Sequence, residues 1–195
     1  MPRRTKAESE ATAAAILAAA RDLYARRGYA AVAVEEVAAA CGVTRGAVYH
    51  HFGSRVGLFA AVHASVTAAV AAEIERATDH VHDPWEGLEA GCHAFLRAVV
   101  ADDARQVVLV DGPAVLGWAR WRQDDARSSG RLLDAVLTEL ADAGRVRRDG
   151  VAATSALLSG AMNEAALWVA DAPDRERALA QAWQALRRLL RGVRA

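Results

Sequence analysis

Residues Val34 to Arg55 read VEEVAAACGVTRGAVYHHFGSR, and this stretch decides the fold. Val34, Val37, Ala38 and Cys41 recur at i, i+3, i+4 and i+7, which is one apolar face of a short helix. Gly42 stops it, because glycine adopts the left-handed conformation that ends helices. Val43 plugs the turn and Thr44 is placed to cap a second helix. In that helix Ala47, Val48, His51 and Phe52 face inward with Thr44. Arg45, Gly46, Tyr49 and His50 form the opposite stripe. A cation, a bare glycine, a phenol and an imidazole suit nucleic acid better than a core. Arginine reads guanine or clamps phosphate, and glycine lets the backbone come close. Ser54 and Arg55 open a third helix whose amide end and charge suit a phosphate.

The run CGVTRGAVYHHFGSRVGLF, residues 41–59, closely resembles the DNA-binding domain of the TetR family of transcriptional regulators. The resemblance extends from about Ala11 to His63, with Ile16-Leu17, Ala19-Ala20, Leu23-Tyr24 and Gly28-Tyr29 also in place. It implies a helix-turn-helix over about residues 33–52, inside a DNA-binding domain over 8–63. A helical ligand-binding and dimerisation domain would follow over 64–195. It implies that Arg45 reads a base edge and that Gly46 and Ala47 approach the DNA closely. Tyr49, His50 and Arg55 would hold phosphates, and Thr44 would cap and touch one. Ala33 departs from the pattern, because the family usually has Ser or Thr there to cap the first helix of the motif. A weaker cap, costing ~1 kcal/mol, and one phosphate contact fewer are expected.

The whole chain reads as all-α. Of its 195 residues 53% are hydrophobic and 25% charged, enough for a sizeable core, and only four are proline. No alternating strand pattern with hairpin turns appears. Net charge is zero, so nonspecific polyanion binding by the whole molecule is disfavoured. Residues 1–55 nevertheless carry eight basic against five acidic side chains, +3, and the remainder carries −3. A basic end on an acidic body fits a protein that meets DNA with one end. Arg3, Arg4 and Lys6 make a short arm, either frayed or lying along the duplex.

Helix 1 is expected over about Glu8 to Arg27 and helix 4 over about Arg55 to Asp79, with a break near Asp83-Pro84. Further helices follow from Pro84, from Pro113 and over Leu132 to Leu140. The last two, about residues 151–191, are apolar on more than one face, which suggests a partner. The family resemblance implies that they pair two subunits in a homodimer on a palindromic operator in double-stranded DNA. Glu139, Arg145, Arg147 and Arg148 read as solvated charge.

No phosphate loop, GxSxG elbow or HExxH is present, so no enzyme and no cofactor are expected. His80, His82 and His93 are the local metal candidates, and no metal site is expected from them. Cys41 and Cys92 make neither a disulfide framework nor a zinc pattern. No secretory segment and no uninterrupted apolar run of ~18 residues appears, so a cytoplasmic protein without a membrane partner is expected. All five tryptophans lie after residue 84. Indoles wall apolar pockets and offer one donor each. Trp118 and Trp121 are therefore pocket candidates for a small-molecule effector, hydrophobic or aromatic, with Phe95, Leu96, His93, Leu158, Met162 and Asn163. The expectation is a repressor released by that effector. An activator, an effector-independent regulator, and a ligand-binding protein with vestigial DNA contact stay open.

Overall fold

A computed structural model describes residues 5–101 and 104–194. Arg3 and Arg4 of the basic arm, and Asp102 and Asp103, lie outside the described residues. The described chain is helical, and its sole strand-type pairing is an isolated bridge between Val146 and Arg194.

Three helices form the head. α1 spans Lys6–Arg27, α2 Val34–Ala40 and α3 Arg45–Phe52. Thr5 caps α1 in a reciprocal box with Glu8. Ile16, Ala20 and Tyr24 of α1 are fully buried against α2 and α4. Gly42, with φ +66°, makes the turn between α2 and α3.

α4, Arg55–Thr78, carries the head into the body without a break at residue 63, so both regions share it. Its length and composition alone would let it cross a membrane. Leu58, Phe59, Val62, Val66, Val70 and Ile74, however, form a stripe buried in the protein core. Burying a side chain such as Phe59 contributes ~1.5–3 kcal/mol. Tyr24, Tyr29 and Phe59 meet at ring-centroid distances of 5.1–5.7 Å where head joins body.

The body continues with α5, Pro84–Val100, whose N-cap Asp83 accepts from the amides of Trp85 and Glu86. A π-helix follows over Arg105–Asp111 and leads directly into α6, Gly112–Leu116. α7 is Trp118–Arg127 and α8 is Ser129–Asp142. α9, Val151–Ala170, and α10, Arg175–Gly192, close the chain. α9 packs on α5, α8 and α10, while α4 lies along α5.

Candidate nucleic-acid interface and ligand cavity

α3 starts where Thr44 caps it: its hydroxyl oxygen accepts from the Ala47 amide at 3.2 Å. Val48 is the buried anchor, and Ala47, His51 and Phe52 are half-buried beside it. Thr44, Arg45, Gly46 and His50 are exposed, and half-buried Tyr49 completes their face. Arg45 spans that face. It pairs with Glu35 at 2.7 Å and donates to the Tyr49 hydroxyl at 3.3 Å. Its guanidinium lies 5.2 Å from the Tyr49 ring centroid. A Cβ on Gly46 would meet nothing nearer than the Thr44 hydroxyl at 3.7 Å, so internal packing does not demand glycine there. Gly57 is different: a Cβ would lie 2.1 Å from the Phe52 carbonyl, so α3 and α4 meet only over a bare backbone.

Arg55 does not join this face. Its Nη2 donates to the carbonyls of Tyr29 and Ala30, and its guanidinium stacks 4.1 Å from the Tyr29 ring centroid. This geometry ties the α1–α2 turn to α4 and gives the phosphate contact expected of Arg55 no support on the α3 face. At Ala33 no side chain caps α2. Glu36 compensates in part, accepting from the Ala33 amide at 3.0 Å while paired with Arg27. The Arg27 guanidinium holds the Glu36 carboxyl below its usual range.

The body contains a cavity of about 300 Å³ between α4, α5, α8 and α9. Apolar walls come from Ile74, Leu88, Phe95, Leu133, Val136 and Met162. Cys92 adds a thiol that burial pushes up to about 12, so it stays protonated. Asp125, Ser129 and Ser159 form the polar end. The Asp125 carboxylate accepts from Ser159 at 3.1 Å, Ser129 at 3.2 Å and Arg122 at 3.3 Å. A second, much smaller chamber of about 10 Å³ lies against Phe95, Asp125 and Ser129 on the side of His63, Trp121 and Asn163.

Of the pocket residues expected, Phe95 borders both chambers, Met162 the larger, Trp121 and Asn163 the smaller. Four of the expected residues border neither chamber. Leu96 and Leu158 point into the core and border neither chamber. His93 packs on Trp183, 4.7 Å between ring centroids. Trp118 is 67% exposed, because its ring stacks on the outside of Trp121 at 4.9 Å. Only Trp121 turns inward, donating its indole N–H to the Val108 carbonyl at 2.8 Å. His82 borders the large cavity while His93 lies on Trp183, so the histidine cluster does not converge. No metal-capable group of three occurs among the described residues.

Sequence reasoning missed the rest. Ile74, Leu88, Leu133 and Val136 carry the same periodic signal as any core residue, and nothing local marks a void beside them. Asp125, Ser129 and Ser159 come from three helical segments and meet only in space. Arg145, expected to be solvated, instead pairs with Asp83 at 2.6 Å and holds its carboxyl down to about 2, while Glu139 is exposed at the cavity rim.

Residues 16–62 match the family model described as bacterial regulatory proteins, tetR family. Residues 85–193, more than half the chain, match the tetracyclin repressor-like C-terminal domain. A crystal structure of a TetR-family transcriptional regulator from Pectobacterium atrosepticum superposes with a TM-score of 0.81, at 34% identity and 98% coverage of both chains. The HTH-type transcriptional repressor BepR of Brucella suis is 35% identical over 107 residues, 54% of this chain and 51% of that protein. The transposon Tn10 TetC protein of Escherichia coli is 27% identical over 109 residues, 56% and 55% of the two chains. The chain thus spans about half the length of these curated relatives. Family models over both head and body, with a full-length structural match, establish that the chain belongs to the TetR family of transcriptional regulators.

Proposed function

We propose that the protein is a homodimeric repressor that leaves a palindromic operator when a small hydrophobic or aromatic effector enters the body cavity. The observation that carries the DNA half is the outward face of α3, where Arg45, Tyr49 and His50 surround the bare Gly46. Arg45 reads a base edge in the major groove, Gly46 and Ala47 let the helix sit close, and Tyr49, His50 and the Thr44 hydroxyl hold phosphates. Glu35 keeps Arg45 oriented until the duplex replaces it as the counter-charge.

Two copies are needed because one short helix reads only a half-site, and half-sites recur about 34 Å apart. Leu157 and Trp168 support the dimer. They are 74% and 51% exposed and lie on one stripe of α9, and Leu189 of α10 is 56% exposed. Apolar residues so exposed at helical spacing fit a bundle with a second copy. The cavity of about 300 Å³ supports the effector. An effector that favours a dimer with wrongly spaced heads shifts the population away from DNA, with coupling of ~1–3 kcal/mol typical. Such a regulator works in the cytoplasm.

The test is binding to DNA from just upstream of its own gene, at two salt concentrations and with excess competitor. Competitor-resistant binding to a palindrome is expected. Binding that competitor erases and salt abolishes, with no preferred site, would overturn the reading.

A further inference from the structure

His63 stands out in the interior. It is 1% exposed, yet neither of its ring nitrogens has a hydrogen-bond partner. A neutral imidazole carries one donor and one acceptor, and leaving both unmet in a dry interior is costly. Burial keeps the ring neutral by pulling its pKa down. The ring borders the small chamber of about 10 Å³ together with Asn163 and Trp121. That is room for one oxygen-sized atom. Asn163, itself buried, borders the same chamber, and its amide carries both donors and an acceptor. Gly112 keeps the ring in place by lacking a side chain: a Cβ there would lie 3.1 Å from His63 Nε2 and 2.9 Å from Trp121 Cδ1.

The small chamber adjoins the large one. Phe95, Asp125 and Ser129 border both. Charge then narrows what could occupy the pair. Among the described residues no lysine or arginine borders either chamber, so an anion finds no counter-charge. The Asp125 carboxylate already accepts from Arg122, Ser129 and Ser159, so an organic cation finds its partner engaged. The remaining carboxylate, Glu139, stands at the exposed rim.

We infer that the small chamber is the polar subsite of the ligand cavity, where His63 and Asn163 hold the single hydroxyl or carbonyl oxygen of an uncharged, otherwise apolar molecule. The apolar body of that molecule fills the larger chamber, against Phe95, Leu133 and Met162. This rests on the cavity being a ligand site, as proposed above, and it adds the class of ligand and the residues that select it.

The test uses the full chain and three probes of matched shape: 4-hexylphenol, hexylbenzene and 4-hexylbenzoate at pH 7.5. Direct binding is read by equilibrium dialysis. The phenol is expected to bind at least ~10-fold tighter than either of the others, because a buried polar site rejects an analogue that leaves it unpaired. His63→Leu and Asn163→Leu are each expected to erase the advantage of the phenol over hexylbenzene while leaving hexylbenzene binding in place. The wild-type series stands without the variants, should either fail to fold. Equal binding of phenol and hexylbenzene overturns the subsite, as do tight binding of the benzoate, persistence of the phenol preference in His63→Leu, and failure of all three probes to bind. Release from operator DNA is measured separately. Selective phenol binding without release upholds the subsite and counts against the regulatory reading instead.

Discussion

The Asp111 carboxylate accepts a hydrogen bond from the Tyr29 backbone N–H at 2.7 Å, across 82 residues of sequence. Asp111 ends the π-helix of the body, and Tyr29 follows the last turn of α1 in the head. The bond therefore crosses the seam between the part that faces DNA and the part that holds the cavity. Val108, three residues earlier, borders the small chamber and accepts from Trp121. Removing the carboxylate leaves the Tyr29 amide unpaired in a half-buried site. Asp111→Ala is expected to lower stability by ~1–2 kcal/mol in a denaturant titration. An unchanged midpoint would mean that water replaces the bond without cost.

Arg45 is exposed and its loss leaves no cavity. Arg45→Ala is expected to leave the melting temperature within error and to weaken operator binding by ~1–3 kcal/mol. Glu35→Gln should act oppositely, since it removes the charge that competes with DNA for Arg45. Operator affinities of both variants, measured side by side at one salt concentration, check this. Tighter binding by Arg45→Ala, or weaker binding by Glu35→Gln, would show that the ion pair serves a different end.

Arg55 separates two roles that its position alone does not. A phosphate ligand would lower the salt slope of DNA binding by about one when removed. A structural tie would lower stability instead. Because Arg55 stacks on Tyr29 and donates to two carbonyls, Arg55→Gln, which removes the charge, is expected to cost ~1–2 kcal/mol of stability with the salt slope unchanged. A shallower slope with full stability would restore the phosphate role.

The case of Arg55 shows where the sequence stops being legible. The helices of the head, their turn at Gly42 and the exposed face of α3 follow from periodicity and capping, which are local. Arg55 sits in the right place in the motif, but its partner, the Tyr29 carbonyl, is 26 residues away. The cavity fails for the same reason. Trp118 and Trp121 are equally apolar in sequence, and only the packing of Trp121 under Val108 separates the buried indole from the exposed one. His63 falls in the apolar stripe of α4, and nothing local sets it apart. Its two unpaired nitrogens depend on what α6, α7 and α9 do not supply.

The exposed stripe on α9 gives a prediction about assembly. Leu157→Glu is expected to leave each subunit folded, since the side chain is 74% exposed in one copy. Placed in an apolar bundle, the new carboxylate lacks a partner, and separation into monomers is the expected result. Sedimentation equilibrium reads it directly, and operator binding should weaken with it because paired half-sites lose their avidity. A dimer of unchanged affinity would move the interface away from Leu157.

His63 also sets a pH dependence. Its folded-state pKa lies below the ordinary 6.5, chiefly through burial; Asp124 and Asp125 pull it back up and Arg120 opposes them. Above pH 6.5 neither the folded nor the unfolded chain holds the proton, so His63 has no effect there. Below it the unfolded chain takes up a proton that the folded chain refuses, and stability falls as pH drops, by at most ~1.4 kcal/mol per pH unit. His93, also pulled down by burial, adds to the same window. Asp83 does not. Its carboxyl is held down to about 2, so its contribution is present at neutral pH and lost only as pH falls toward that value. Melting temperatures at pH 7.5 and 5.5 should therefore differ more in the wild type than in His63→Leu. Equal differences in the two proteins would show that His63 takes up its proton in the folded state as readily as in the unfolded one.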